Sequence, residues 1–240
     1  MTDTRRARRA ILALVALATT AVACGDDGDE AADTTTTAAE TTTSSASVTT
    51  TTLEPAPVQP AAWPAPETAF ETPQEAARSF VETVLGVPPA LGDLMQGDAR
   101  SGEMVVFSPG EGGGTAVERG TLLLRQLGPD DGWFVLGAVN DVPTIEVPET
   151  PVPAAPLRVT GTAIGFEATV IVSAWVPGGT EPLARVVTQA GEMGVAGPYD
   201  VELDLSSAPA GSTVAIVVTG GVGLETDPGD FAAATVTIAG

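Results

Sequence analysis

Tyr199-Asp-Val-Glu-Leu-Asp-Leu205 alternates apolar and acidic side chains, one residue at a time. Successive side chains of a β-strand point to opposite faces, so this period of two indicates a strand with one buried and one solvated face. Pro, Gly and Asp clusters, which favour turns, separate it from its neighbours. Further strands are predicted at 157–162, 167–175, 183–189, 213–219 and 233–238. Six short strands at this spacing predict an all-β sandwich over residues 157–240.

A different pattern occupies residues 67–147. Thr72-Pro73-Gln74-Glu75 is a helix-capping box with Pro at the first helical position. Apolar residues recur at helical spacing as far as Val84, and Gly86 is placed to end the helix. Three strand-like runs follow at 103–108, 121–127 and 133–139. This segment therefore predicts a small α+β domain, with one helix on a short antiparallel sheet.

The segment between these two regions, residues 148–156, is rich in proline. It reads Pro148-Glu-Thr-Pro-Val-Pro-Ala-Ala-Pro156, and closely spaced prolines favour a stiff, extended spacer. The sequence therefore predicts two independent domains, of which residues 155–240 are expected to fold alone.

The first 24 residues have the features of an export signal. Four Arg residues precede an apolar run at 10–23, which is shorter than the ~20 apolar residues that a spanning helix needs. Ala21-Val-Ala-Cys24 resembles the lipobox of bacterial lipoproteins. That resemblance implies a signal peptide at 1–23, cleavage before Cys24 and a diacylglycerol on its sulfur. It also implies an extracytoplasmic protein, anchored to the outer face of the bacterial cell membrane.

Residues 24–66 have the composition of a flexible tether. An acidic cluster is followed by runs of Thr and then by Pro and Ala. So few large apolar side chains cannot offset the entropy cost of ordering the backbone. Trp63 is the exception, and we expect it to contact the neighbouring domain.

The charge balance excludes one large class of partners. The 240 residues carry 31 Asp and Glu against ten basic residues, all of them Arg, for a net charge of −21. Nucleic-acid binding needs clustered cations, so no nucleic-acid role is expected. The chain also contains no His and no Lys. Without them the usual nucleophile–base pairs cannot be built, and we expect no enzyme activity, no catalytic residues, no metal site and no cofactor.

The start of the second region resembles a known family. Pro156, Gly161, Phe166 and Glu167 lie where the immunoglobulin-like domain of bacterial spore germination (Gmad2 family) has a proline-led strand, a Gly and a Phe-Glu pair. Gly197-Pro-Tyr199 and the turn at 227–230 add to the resemblance. It implies an extracytoplasmic immunoglobulin-like β-sandwich with no known catalytic residues. Phe166 and Glu167 are a candidate recognition surface. The alternative is a Phe in the core and a Glu that caps a turn.

The sequence thus predicts a lipid-anchored surface protein that acts as a non-catalytic binding or envelope-assembly module. Its expected partners are the membrane, through the lipid on Cys24, and a cell-envelope protein or cell-wall polymer. Two alternatives stay open. One is a carboxylate-dependent hydrolase of cell-wall glycans, which needs two carboxylates ~5–10 Å apart. The other is a solute-binding lipoprotein.

Overall fold

The computed structural model describes residues 59–108 and 114–240. The described chain consists mostly of antiparallel β-structure with one short α-helix, which confirms the predicted β-rich fold class. The elements are α1 Pro73–Phe80, β1 Met95–Asp98, β2 Ser101–Ser108, β3 Val117–Leu127, β4 Gly132–Val139, β5 Pro156–Ala163, β6 Thr169–Trp175, β7 Ala184–Gln189, β8 Gly197–Asp204, β9 Thr213–Gly220 and β10 Asp230–Thr237.

Helix α1 begins where the capping box predicts. The Thr72 side chain accepts a hydrogen bond from the Glu75 N–H, and the Glu75 carboxylate accepts one from the Thr72 N–H. The helix continues as a π-helical turn, Val81–Leu85. It ends at Gly86, whose φ of 71° is left-handed, a conformation that glycine adopts without a steric penalty.

The strands form one large sheet and one small one. The order in the large sheet is β1-β2-β3-β4-β10-β9-β6-β7, and β5 pairs with β8 in the small sheet. Strand β8 contains the alternating stretch as far as Asp204, and its apolar residues Tyr199, Val201 and Leu203 are buried while the acidic ones are exposed. The period of two therefore predicted the orientation of this strand correctly.

Two hydrophobic cores lie on the two faces of strands β6, β9 and β10. Val214, Ile216 and Val218 of β9 belong to the core that the β5–β8 sheet covers. The intervening Ala215 and Val217 belong to the second core, together with Phe80 of helix α1. Strand β9 is therefore buried on both faces, which explains why its central residues, Val214–Val218, are all apolar.

The join between β4 and β10 is the point where the two predicted domains meet. Ala138 pairs with Ala233 across it. A side chain on Gly137 would lie 2.6 Å from the Ala233 carbonyl oxygen, so glycine is needed for this close approach. Beside it, Trp63 pairs with Val135 of β4 through hydrogen bonds of 2.8 and 3.1 Å. The sheet thus runs without interruption across the predicted boundary.

The proline-rich segment also packs against the sandwich. Just before it, Glu146 exchanges backbone hydrogen bonds with Thr160 of β5. Within it, Val152 is buried and its N–H donates to the Thr237 carbonyl oxygen of β10. At least part of the segment 148–156 is therefore packed against the sandwich, so the segment is not simply a free spacer. The division into two independent domains stays a prediction, and the shared sheet argues against it.

The signal peptide, the lipidated Cys24 and the tether are all predicted in the N-terminal part of the chain. The signal peptide, Cys24 and the tether as far as residue 58 lie outside the described residues. The predicted tether extended to residue 66, whereas Ala62 and Trp63 are buried and Trp63 Nε1 donates to Ser79 Oγ at 2.9 Å. Trp63 thus contacts the folded region, as expected. No helix in the described residues is both long enough and apolar enough to cross a membrane.

Candidate binding surface

Three loops meet at one end of the sandwich, which we call the loop end. They follow β5, β7 and β9, and comprise residues 164–168, 190–196 and 221–229. Backbone hydrogen bonds join them, since the Gly165 N–H donates to Gly191 O at 2.9 Å and the Phe166 N–H donates to Gly221 O at 2.6 Å. The loop end is therefore a connected surface.

Each loop exposes at least one large apolar side chain. Met193 is 94% exposed and Val195 is 71% exposed in the second loop, and Phe166 is 58% exposed in the first. Leu224 of the third loop is 42% exposed. The Phe166 ring lies over Gly223, where an added Cβ would be 3.3 Å from it. Apolar side chains grouped on connected loops are typical of a protein-binding surface.

The backbone at the loop end is strained. Glu167, Ala168 and Met193 have φ angles of 52°, 60° and 52°, and of the described non-glycine residues only Asp131 shares this left-handed conformation. Such a conformation costs an L-residue about 1–2 kcal/mol. Strain of this kind persists where the surrounding structure imposes it, and it is frequent at binding sites.

A buried ionic cluster fixes the third loop to the large sheet. Arg119 of β3 donates to Asp227 Oδ2 at 2.6 Å and to Asp230 Oδ1 at 3.3 Å. Ser108 Oγ of β2 donates to Asp227 Oδ2 at 2.6 Å, and the Gly229 N–H donates to Asp227 Oδ1 at 2.9 Å. The Asp227 side chain is only 4% exposed, so it is a buried counterion of Arg119.

The cluster keeps the Asp227 carboxyl ionised. Burial alone would raise its pKa, but the hydrogen bonds from Arg119, Ser108 and Gly229 and the positive charge of Arg119 together hold the pKa below its ordinary value. Burial alone would lower the pKa of Arg119, but its hydrogen bonds to Asp227 and Asp230 and their negative charges outweigh burial and raise the pKa. Both groups are therefore charged at neutral pH.

Asp227 lacks the property that the hydrolase alternative requires of its proton-donating acid. A paired-carboxylate enzyme needs one acid whose pKa is raised, so that it can donate a proton. The pKa of Asp227 is lowered, and its oxygens accept bonds from the protein itself. In the part of the chain that the structure describes, no group of three or more His, Cys, Asp and Glu residues is arranged to hold a metal ion.

The structure places both sequence-predicted recognition residues at the loop end. Phe166 is exposed, so the alternative that placed it in the core is wrong. Strand β6 was predicted to begin at Glu167, but it begins at Thr169. The reason is that residues Phe166–Ala168 form a 3₁₀ turn, in which the left-handed Glu167 and Ala168 interrupt the extended backbone.

Sequence reasoning missed the ionic cluster and the contribution of the second and third loops. The sequence around Asp227 predicts a turn, and the hydrogen bond that Asp227 accepts from the Gly229 N–H agrees with that prediction. Its pairing with Arg119 spans 108 residues, and no local pattern identifies such a pair. The exposed Met193 followed by Gly194 was the one available signal, because an apolar residue in a glycine-rich turn has no strand to bury it.

Comparison with protein-family models, with curated proteins and with solved structures finds no match to this chain.

Proposed function

We propose that this protein is a lipid-anchored, non-catalytic binding module of the bacterial cell envelope, and that the loop end binds a partner protein. The observation that carries the proposal is the grouping of Phe166, Met193, Val195 and Leu224 on three interconnected loops. Burying such water-exposed apolar side chains against a partner lowers the free energy by about 25 cal/mol for each Å² of apolar surface covered. A protein surface supplies such a cover more readily than a polar glycan does.

The proposal also includes an immunoglobulin-like fold and a lipid anchor. Strands β5–β10 would form the immunoglobulin-like sandwich of the Gmad2 resemblance, with the loop end corresponding to one end of the sandwich. The lipid on Cys24 would place the module on the outer face of the membrane. Two acyl chains on one residue supply the two signals that stable anchoring requires.

Replacing the two most prominent side chains of the loop end tests the binding proposal. We expect the double variant Phe166→Ser/Met193→Ser to lose at least ~30-fold in affinity for the partner, because even one interface anchor contributes about 2 kcal/mol or more. The measurement is native gel electrophoresis of solubilised membranes, in which the wild type should migrate in a larger complex. The matched control is Met95→Ser/Val139→Ser, at positions 50% and 49% exposed elsewhere on the large sheet. A complex that survives in the loop variant, or that is lost equally in the control, contradicts the proposal.

The anchoring proposal has its own test. Cys24→Ser removes the sulfur to which the lipid would be attached, so we expect no incorporation of a labelled fatty-acid analogue and release of the protein from the membrane fraction. Metabolic labelling followed by membrane sedimentation measures both. Lipoboxes resembling this one usually have Leu three residues before the Cys, where this chain has Ala21, so Ala21→Leu is the control and should keep the label. Membrane retention of Cys24→Ser equal to that of the wild type would refute lipid anchoring.

A further inference from the structure

A groove of about 660 Å³ adjoins the third loop of the loop end. Its floor is the face of β6 and β9, including Ile171, Trp175 and Val217. The turn at the end of helix α1 and residues 221–225 also line it. The volume lies within the ~300–1,000 Å³ range of ligand sites, and much of the lining is apolar.

Arg185 of β7 also lines this groove. The described residues include six Arg, and five of them form ion pairs with Asp or Glu side chains. Arg185 forms none with the residues that the structure describes. It lies opposite Ser173 in the β6–β7 register, next to the apolar floor. In a chain with a net charge of −21, an unpaired cation beside an apolar surface indicates a site for an anionic group.

The charge of the whole protein limits which anion can bind. Two acidic residues, Glu225 and Asp227, also line the groove, and Asp227 is already paired with Arg119. A polyanion would be repelled by these and the other surface carboxylates, whereas a single carboxylate needs only Arg185. The rest of the ligand must be apolar to cover Ile171 and the neighbouring Leu224. Thr83 and Thr219 also line the groove, and threonine hydroxyl groups match peptide groups better than they match a hydrocarbon chain.

We propose that this groove binds the C-terminal end of a partner polypeptide with apolar last residues, whose terminal carboxylate pairs with Arg185. This inference rests on the proposed function, since it requires a protein partner. In addition to the proposed function, it states what is recognised. The guanidinium of Arg185 binds one carboxylate, and the apolar face of β6 and β9 contacts the apolar side chains of the ligand.

The test uses the full-length chain in lipid nanodiscs and a fluorescent pentapeptide that ends in Ala-Val-Leu. Fluorescence polarisation compares the free-acid peptide with the same peptide as a C-terminal amide, and palmitate is added as a competitor. We expect the free acid to bind about tenfold or more tightly than the amide, because a charge-assisted hydrogen bond is lost with the amide. We expect Arg185→Gln to remove this preference. Arg158→Gln, which removes an exposed Arg of the other sheet, should keep it.

The outcomes separate this inference from the proposed function. Equal binding of acid and amide by the wild type, a preference that survives Arg185→Gln, or displacement of the peptide by an equimolar amount of palmitate would each overturn the inference. Phe166 and Met193 are not among the groove-lining residues. The native-gel result with Phe166→Ser/Met193→Ser reports on the loop end, whereas the preference for the free acid over the amide, and its loss in Arg185→Gln, reports on the groove.

Discussion

Arg119→Met is expected to reduce the free energy of unfolding by about 3–5 kcal/mol, because it leaves the Asp227 carboxylate buried without its counterion. Ser108 and the Gly229 N–H would still donate to Asp227, but neither carries a charge. Urea denaturation followed by tryptophan fluorescence measures the loss. Arg158→Met is the matched control, since its pair with Asp200 is exposed to water, and it should cost much less. Equal losses in the two variants would show that the buried cluster contributes no more than a surface pair.

The same cluster predicts a pH dependence. The folded-state pKa of Asp227 lies below its ordinary value of 3.8. Its ionised form therefore contributes stability above that pH, and this contribution is lost as the pH falls through the folded-state pKa. Asp227→Asn removes the titrating group, so the variant should lose less stability than the wild type as the pH falls below about 4. Parallel stability curves for the two proteins in this interval would contradict the assignment.

A fragment of residues 155–240 is expected not to fold as a cooperative unit. This reverses the expectation drawn from the proline-rich segment. Without residues 59–147, the face of β6, β9 and β10 that includes Trp175, Val217 and Phe231 loses its cover. Exposing a large apolar side chain costs roughly 1.5–3 kcal/mol. Three such losses are comparable with the total stability of a typical domain, ~5–15 kcal/mol.

Circular dichroism melting of the fragment, compared with that of residues 59–240, is the measurement. The longer chain should show a single cooperative transition with β-type spectra, and the fragment should show none. A cooperative melt of the fragment at a similar temperature would restore the two-domain interpretation. It would show that the second core is an interface between two stable parts.

Local sequence patterns predicted the start of helix α1 and the buried face of β8, because both depend on interactions between residues close in sequence. The capping box at Thr72 and Glu75 gave the start of helix α1, because both of its hydrogen bonds are made within four residues. The alternation at 199–205 gave the buried face of β8, because the side-chain period of a strand is two. Both predictions depend only on neighbours in sequence.

The features that the sequence did not reveal depend on residues that are distant in the chain. Ala138 and Ala233, which join the two halves of the sheet, are small residues without a distinctive pattern. Prolines at 148–156 suggested a boundary, yet they are compatible with a segment that lies against the sandwich through Val152. The exposure of Phe166 follows from a left-handed backbone at Glu167 and Ala168, which their side chains do not predict.

Photo-cross-linking in living cells tests the central claim, that the loop end binds a partner protein, most directly. A photoreactive phenylalanine analogue replaces Phe166 in one strain and Met95 in another, two positions of similar exposure. We expect irradiation to give one adduct of defined mass from position 166 and none of that mass from position 95. The same adduct from both positions, or no adduct from position 166, would contradict the claim.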